Sequence, residues 1–264
     1  MGTIRLAHYQ VPNRYGAGKT PCSVRFAVLA DLHNNVYRSD VSRLIRAVKK
    51  EKCDAVLSAG DLVLMKHGHF ETDQALRLVC TLAGMMPVYI SNGNHEARME
   101  RLYGEQYRSY EQVMEKAGVI RLHNSSVEAV INGMEFAITG LELDRRYFRN
   151  RYHKDLYVPE IRKRVGKRRK DRFQILLAHH PKYFPVYAQW GADLTLSGHL
   201  HGGIVRLPVL GGVISPDPEL LPHYDHGLYQ EGGAKMIVSA GLGSHSVNLR
   251  INNPAELVIV DVQA

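Results

Sequence analysis

Short apolar runs alternate along the first half of the chain with amphipathic segments of helical period. The apolar runs predict strands over 24–30, 55–59 and 87–90. Between these runs, apolar residues three and four positions apart predict helices over about 39–50 and 72–83. This β-α-β-α-β order predicts parallel strands that are joined by crossover helices.

The pattern changes after residue 118, where short strands follow one another without long helices between them. Strands are predicted over 119–122, 126–131, 134–141, 173–178 and 194–197, with three more between 235 and 262. The dipeptide Asn132-Gly133 is typical of a hairpin turn. We therefore expect an α/β fold in which two mixed sheets stack face to face with helices outside, as one domain over residues 1–264.

Composition is that of an ordinary globular protein, because 45% of the 264 residues are apolar and 23% are charged. The three cysteines Cys22, Cys53 and Cys80 show no CxxC spacing, which favours reduced thiols. No run approaches the ~18 apolar residues of a transmembrane helix, and the first residues do not resemble a signal peptide. These features predict a cytoplasmic protein and leave a membrane-peripheral location open.

The net charge of +8 is concentrated in one segment, which begins at Arg145 and ends at Arg172. This cationic insertion holds 13 Lys and Arg against 3 acids, a local charge of +10, so the remaining chain carries −2. Aromatic residues such as Tyr147 and Phe148 stand among the charges. The composition favours a solvated, mobile flap, and two alternatives are a channel for nucleic acid and a patch for anionic lipid.

Side chains that bind metals follow five of the predicted strands at their carboxyl ends, where open α/β sheets build their sites. They are Asp31 and His33, Asp61, Asn94, His179, and His199 with His201. Residues two apart in an extended segment point the same way, so Asp31 and His33 can bind one metal. His199 and His201 can likewise reach two adjacent metals.

A pair of divalent ions suits this ligand set. Asp61 is placed to bridge the two ions, and Asn94 and His179 would complete the second site. Two divalent ions and two aspartates leave a surplus of about +2, which attracts an anionic phosphoryl group and allows metal-assisted attack by water. Mixed imidazole and carboxylate ligands favour Mn, Fe, Zn or Co.

His95 adjoins a predicted ligand but is expected to face elsewhere. It would either stabilise the transition state or protonate the leaving oxygen. Glu96 is interpreted as a structural residue in the first turn of a helix. Other histidines are expected to be ordinary surface or hydrogen-bonded residues: His67, His69, His180, His223, His226 and His245. The sequence Tyr224-Asp225-His226 is a candidate for a loop that faces the substrate.

The ordered motifs DxH, GD, GNHE, a lone His and GHxH resemble the calcineurin-like metallophosphoesterase superfamily. The resemblance implies a four-layer α/β/β/α sandwich, a dinuclear metal centre and a catalytic role for His95. The tail Arg250-Ile-Asn-Asn-Pro-Ala-Glu256 resembles a small bacterial branch of phosphodiesterases and UDP-diacylglucosamine pyrophosphohydrolases. Protein phosphatases carry Asp-Arg-Gly after GD, whereas this chain has Leu62-Val63-Leu64, which leaves open what orients His95.

The hypothesis is therefore a metal-dependent hydrolase of phosphodiester or pyrophosphate bonds. A first alternative is a nuclease that uses the same centre, with the cationic insertion guiding nucleic acid. A second alternative is a non-catalytic interaction module on the same fold, which the complete motif set disfavours.

Overall fold

A computed structural model describes residues 4–15, 22–37, 39–66, 68–148, 154–203, 205–207, 211–214, 222–244 and 250–264. The predictions for His67 and His245, and for residues 149–153 of the cationic insertion, lie outside these ranges. Among the residues that are described, no helix combines the length and the apolar character needed to cross a membrane.

The described chain contains sixteen strands and six α-helices. The strands are Arg5–Pro12 (β1), Ser23–Leu29 (β2), Ala55–Ser58 (β3), Leu64–Lys66 (β4), His69–Glu71 (β5), Val88–Ile90 (β6), Ile120–Arg121 (β7), Ser125–Ile131 (β8), Met134–Leu141 (β9), Phe173–Ala178 (β10), Leu194–Ser197 (β11), Val205–Leu207 (β12), Gly211–Ile214 (β13), Gly227–Glu231 (β14), Ala234–Val238 (β15) and Glu256–Gln263 (β16). The α-helices are Val41–Lys50 (α1), Asp73–Ala83 (α2), Asn94–Leu102 (α3), Gly104–Lys116 (α4), Val158–Val165 (α5) and Phe184–Trp190 (α6).

Two six-stranded sheets carry the fold. The first has the order β1-β16-β2-β3-β6-β7, and the second has the order β14-β15-β11-β10-β9-β8. The strands β2, β3, β6 and β7 are parallel, as are β9, β10, β11 and β15, which confirms the predicted crossover connections. Strands β8 and β9 form the predicted antiparallel hairpin, with positive φ at Asn132 and Gly133.

The period of two along each strand divides its side chains between layers. Phe26 and Val28 of β2 pack between the sheets against residues such as Ile175 of β10. Ala27 and Leu29, the intervening residues of β2, pack under α1, α2 and α4. Helices α5 and α6 cover the outer face of the second sheet. The predicted α/β/β/α sandwich is therefore confirmed.

In the described part of the cationic insertion most charged residues are exposed, as expected of a solvated segment, whereas several residues between them are packed. Tyr147, Leu156 and Ile161 are buried in one apolar cluster with residues of β9, β10 and α6. The aromatic and aliphatic residues between the charges therefore anchor the segment to the second sheet.

Six of the described strands were not predicted: β1, β4, β5, β12, β13 and β14. Strand β1 was not expected, and it pairs in parallel with β16 along its whole length. Of the three strands expected between 235 and 262, the described residues form two, β15 and β16.

Candidate metal centre

All eight residues predicted for the site lie at one edge of the sandwich, where the parallel strands of both sheets end. Asp31 and His33 follow β2, and Asp61 follows β3. Asn94 and His95 open α3 after β6, His179 follows β10, and His199 and His201 follow β11. The predicted convergence at the carboxyl ends is thus what the chain forms.

The backbone at this edge is strained. Ten described residues other than glycine have positive φ, and five of them are predicted ligands. Those five are Asp31 (51°), His33 (47°), Asp61 (54°), His199 (74°) and His201 (52°). A left-handed backbone costs an ordinary residue roughly 1–2 kcal/mol, and such strain concentrates at functional sites. The fold is therefore less stable at these positions than a relaxed backbone would be, and in return these side chains are directed into the site.

Glycines beside the ligands allow the loops to approach closely. A Cβ at Gly198 would lie 2.4 Å from Oδ2 of Asp31, and a Cβ at Gly93 would lie 2.2 Å from Oδ1 of Asp61. The glycines of the GNH and GHxH motifs thus leave room for the two buried carboxylates.

A first group of potential ligands consists of Asp31, His33 and His201, which are all buried. Nε2 of His33 lies 3.0 Å from Nε2 of His201. Oδ1 of Asp31 lies 3.9 Å from Nε2 of His33 and 3.6 Å from Nε2 of His201. One cation can therefore contact all three side chains.

A second group consists of Asp61, His179 and His199. Nε2 of His179 is 3.1 Å from Oδ2 of Asp61 and 3.8 Å from Oδ1 of Asp31, so it faces both carboxylates. Its other nitrogen, Nδ1, lies 3.0 Å from the carbonyl oxygen of Ala59, a contact that fixes the ring. The two groups of ligands therefore adjoin each other through Asp31 and Asp61.

The donor set fits divalent cations. Oδ1 of Asn94 is buried and has no hydrogen-bond donor among the residues that the structure describes. A buried carbonyl oxygen without a donor is costly unless another electrophile faces it. Together with the imidazole nitrogens and the carboxylates, this oxygen supplies the mixed ligands of transition metals such as Mn, Fe, Zn or Co.

The electrostatics of the pocket also favour a cation. Burial raises the pKa of the Asp31 carboxyl to about 6, although His179 acts in the opposite direction. Burial opposes a charge on His179, but Asp61 and Asp31 outweigh it and raise the His179 pKa to about 9. Asp61 is buried too, yet His179 and His95 hold its pKa well below the usual range. Protein groups alone thus leave the charge of Asp31 poorly compensated.

The backbone of β4 orients His95. This contact answers the question that the absence of Asp-Arg-Gly after Asp61 had left open, namely what orients the ring. The N–H of Met65 donates to Nδ1 of His95 at 2.9 Å. The N–H of His95 itself donates to Oδ1 of Asp61 at 2.8 Å. Because Nδ1 accepts a hydrogen bond, the neutral ring carries its hydrogen on Nε2. His95 also lies close enough to His33 and Asp61 for the three side chains to form a further group of potential metal ligands.

Glu96 has a structural role, as predicted, and it is larger than a helix-end contact. The buried carboxylate accepts hydrogen bonds from the N–H groups of Asp61, Leu62, Val63 and Gly93 at 2.7–3.0 Å. Burial and the neighbouring Asp61 raise the pKa of Glu96 to about 7. Glu96 therefore ties the loop of Asp61 to the start of α3.

Two positioning residues were not predicted individually. The side-chain amide of Asn253 donates to the carbonyl oxygens of His201 (2.6 Å) and Gly203 (2.7 Å). The Nη2 atom of the buried Arg250 lies 3.3 Å from Nδ1 of His201 and donates to the carbonyl oxygen of Ala240. The only sequence signal was the family-like tail in which both residues stand.

Two other histidines that the structure describes, His180 and His226, are not members of the groups of potential ligands. His180 is buried between Phe148 and Tyr183. His226 contacts Arg5 and Glu256. In the candidate substrate loop, Tyr224 packs against Phe184 and Tyr229.

An α/β/β/α sandwich with aspartates and histidines gathered at one edge is an α/β protein with a candidate metal site. The model of the calcineurin-like phosphoesterase family matches residues 24–203, from β2 to the loop of His199 and His201. The chain therefore belongs to the calcineurin-like phosphoesterase family.

Several curated relatives are about a quarter identical to the chain over the aligned residues. An uncharacterized metallophosphoesterase of Campylobacter jejuni is 26% identical over 250 residues, which are 91% of this chain and 59% of that protein. The phosphodiesterase YaeI of Escherichia coli is 26% identical over 246 residues, which are 89% of this chain and 80% of YaeI. The chain thus spans less than two thirds of the Campylobacter protein.

Among solved structures, the protein TT1561 of Thermus thermophilus superposes with a TM-score of 0.50 at 13% identity. The superposition covers 84% of this chain and 91% of TT1561. At this identity the likeness concerns the fold alone.

Proposed function

We propose that the chain is a metal-dependent phosphohydrolase that cleaves a phosphodiester or pyrophosphate bond. The observation that carries the proposal is the adjacency of two ligand groups through Asp31 and Asp61, whose carboxylates both face His179. The curated relative YaeI, whose name is phosphodiesterase, supports the same reaction class.

In this proposal Asp31, His33 and His201 would hold one divalent ion, Asn94, His179 and His199 would hold the other, and Asp61 would contribute its carboxylate to the same centre. Two bound ions would lower the pKa of an attacking water and offset the charge that develops on the phosphoryl oxygens. Manganese, iron, zinc and cobalt all suit the ligands.

His95 would act on the substrate as a hydrogen-bond donor through Nε2. Protonating the ring would place a second hydrogen on Nδ1, where the N–H of Met65 already points. The geometry therefore favours stabilisation of a phosphoryl or leaving oxygen by the neutral ring over proton donation by an imidazolium.

The test combines turnover with a measurement of metal content. Protein stripped with a chelator should be inactive on bis-p-nitrophenyl phosphate, and added Mn should restore turnover and raise the unfolding temperature. Asp61→Asn should bind less metal and lose at least a hundredfold in kcat. Asp40→Asn, at the exposed N-cap of α1, is the matched control and should behave as the wild type.

Two results would overturn the proposal: an Asp61→Asn variant as active as the wild type, or no turnover of any phosphoester with any of the four metals. The second result would favour the non-catalytic module.

The nuclease alternative has less support from the described residues. Arg146 and Arg164 pair with Asp144, while Arg169 and Arg172 pair with Glu128. These ion pairs use cations that a nucleic acid would need. Faster cleavage of an oligonucleotide than of the small diester would favour a nuclease.

The cytoplasmic location stays a prediction.

A further inference from the structure

The start of the cationic insertion lies against the metal centre. A short 3₁₀ helix, Arg145–Phe148, follows β9 at the edge where the ligands gather. Its Tyr147 is fully buried, donates to Oε1 of Glu160 at 3.0 Å and packs edge-on against Tyr183. The hydroxyl of Tyr183 donates in turn to the carbonyl oxygen of Tyr147 at 2.9 Å. The position of Phe148, the next residue, is therefore fixed.

Phe148 contacts the imidazoles of the second group of ligands. The centroid of its ring lies 5.2 Å from that of His199 and 6.2 Å from that of His179. It also stacks on His180, with centroids 5.2 Å apart and planes 19° from parallel. Offset stacking of this kind fixes the plane of a ring.

Phe148 and His199 are both half-buried, whereas His179 and His180 are buried. An apolar ring thus borders the more open ligand of the second group. A phosphoryl group bound there would carry its organic substituent past this ring.

We propose that Phe148 is a specificity-determining residue that favours phosphoesters with a flat aromatic substituent, such as an aryl group or a nucleobase. This inference rests on the proposed function, because it places the phosphoryl group at the metal ligands. The substituent would extend the stack that His180 and Phe148 begin. A planar group gains from such stacking, and an alkyl group does not.

Binding of two phosphonates that the enzyme cannot hydrolyse tests the proposal. Phenylphosphonate and methylphosphonate differ in the ring alone, and calorimetry on Mn-loaded protein gives both affinities. The wild type should prefer phenylphosphonate by roughly two- to twelvefold, the range of factors that an aromatic pair contributes. Phe148→Leu keeps an apolar side chain and should lose most of that preference while binding methylphosphonate as before. Phe148→Trp should keep it.

Tyr157→Leu is the control, because it removes an exposed aromatic residue of the same insertion. Its preference should equal that of the wild type. An unchanged preference in Phe148→Leu overturns the inference, as does a Phe148→Leu variant that loses affinity for both phosphonates equally. Turnover of bis-p-nitrophenyl phosphate by the wild type is measured in parallel. Absence of that turnover would count against the proposed function, whereas turnover without a ring preference would count against Phe148 alone.

Discussion

The main-chain N–H of Met65 donates to Nδ1 of His95 at 2.9 Å and so determines which ring nitrogen can face a substrate. In this chain a backbone N–H orients the imidazole ring, a role that a side-chain carboxylate can play for histidines in other proteins. The donor belongs to β4, a short strand that pairs with β5 and lies beside α3. The hairpin of β4 and β5 is therefore part of the catalytic apparatus that we propose.

Replacing His95 should separate catalysis from metal binding. We expect His95→Ala to lower kcat by roughly 10²–10³, the usual loss when one hydrogen-bond donor to a developing oxyanion is removed, without lowering metal content. His95→Gln, which keeps an N–H donor near the position of Nε2, should lose less. Kinetics and elemental analysis of both variants check this. Loss of a metal from His95→Ala would instead identify His95 as a ligand, a role that its nearness to His33 and Asp61 allows.

Adding one methyl group at Gly198 should disturb the centre. Its Cβ would lie 2.4 Å from Oδ2 of Asp31 and 2.9 Å from Cβ of Ala30, so one of them must move. We expect Gly198→Ala to cost about 1–3 kcal/mol in the free energy of unfolding and to weaken metal binding. Gly104→Ala, in the first turn of α4, meets only the end of Arg108 at 3.5 Å and should be neutral or mildly stabilising. Urea titrations compare the two, and equal stabilities would contradict the prediction.

Asn253 should act through the loop of His201. Asn253→Ala leaves the carbonyl oxygens of His201 and Gly203 without their buried donor, at a cost of about 1–3 kcal/mol. The free energy of metal binding, measured by calorimetry, should weaken by a similar amount, because this loop carries the predicted ligand His201. The exposed neighbour Asn252, changed to Gly to suit its positive φ, serves as the control and should bind metal normally. An unaltered metal affinity in Asn253→Ala would show that Asn253 does not position the loop of His201.

His123 should make stability depend on pH. Its Nδ1 lies 3.1 Å from Glu142 and its Nε2 lies 2.9 Å from Glu111. The hydrogen bond to Glu142 raises the pKa of His123 above the ordinary value of 6.5, although burial acts in the opposite direction. Because the folded pKa is the higher one, the stabilisation is complete below pH 6.5 and is lost as pH rises through the folded pKa.

His123→Gln tests that dependence. The difference in unfolding free energy between the wild type and the variant should shrink between pH 6 and pH 9. A difference that stays constant or grows over that range would show that the ring is not charged in the folded protein.

The gathering of the predicted ligands at one edge of the sandwich could be foreseen because its signals are local. Asp31 and His179 stand directly after apolar runs and Asp61 stands one glycine beyond another, and the sheets then bring the ends of those runs together. The same reasoning predicted the parallel strands and the Asn132-Gly133 hairpin. Short-range pattern and strand ends thus sufficed for the architecture and for the placement of the candidate site.

Features that depend on distant partners were out of reach. Strand β1 is an edge strand with mostly exposed side chains, so its pairing with β16 leaves little pattern to detect. The donor to His95 is a backbone N–H, which every residue except proline would supply. Asn253 reaches residues about fifty positions away, and the burial of Tyr147 depends on Tyr183 and Glu160.

The strained left-handed backbone affects how the protein should be stored. It occurs at five predicted ligands: Asp31, His33, Asp61, His199 and His201. In the metal centre that we propose, cations bound between these loops would offset the strain, and a chelator would remove that stabilisation from the most strained part of the chain. Those loops should then open first, while the two sheets persist. Protein stored without metal would accordingly lose its ability to bind metal again long before its circular dichroism spectrum changes.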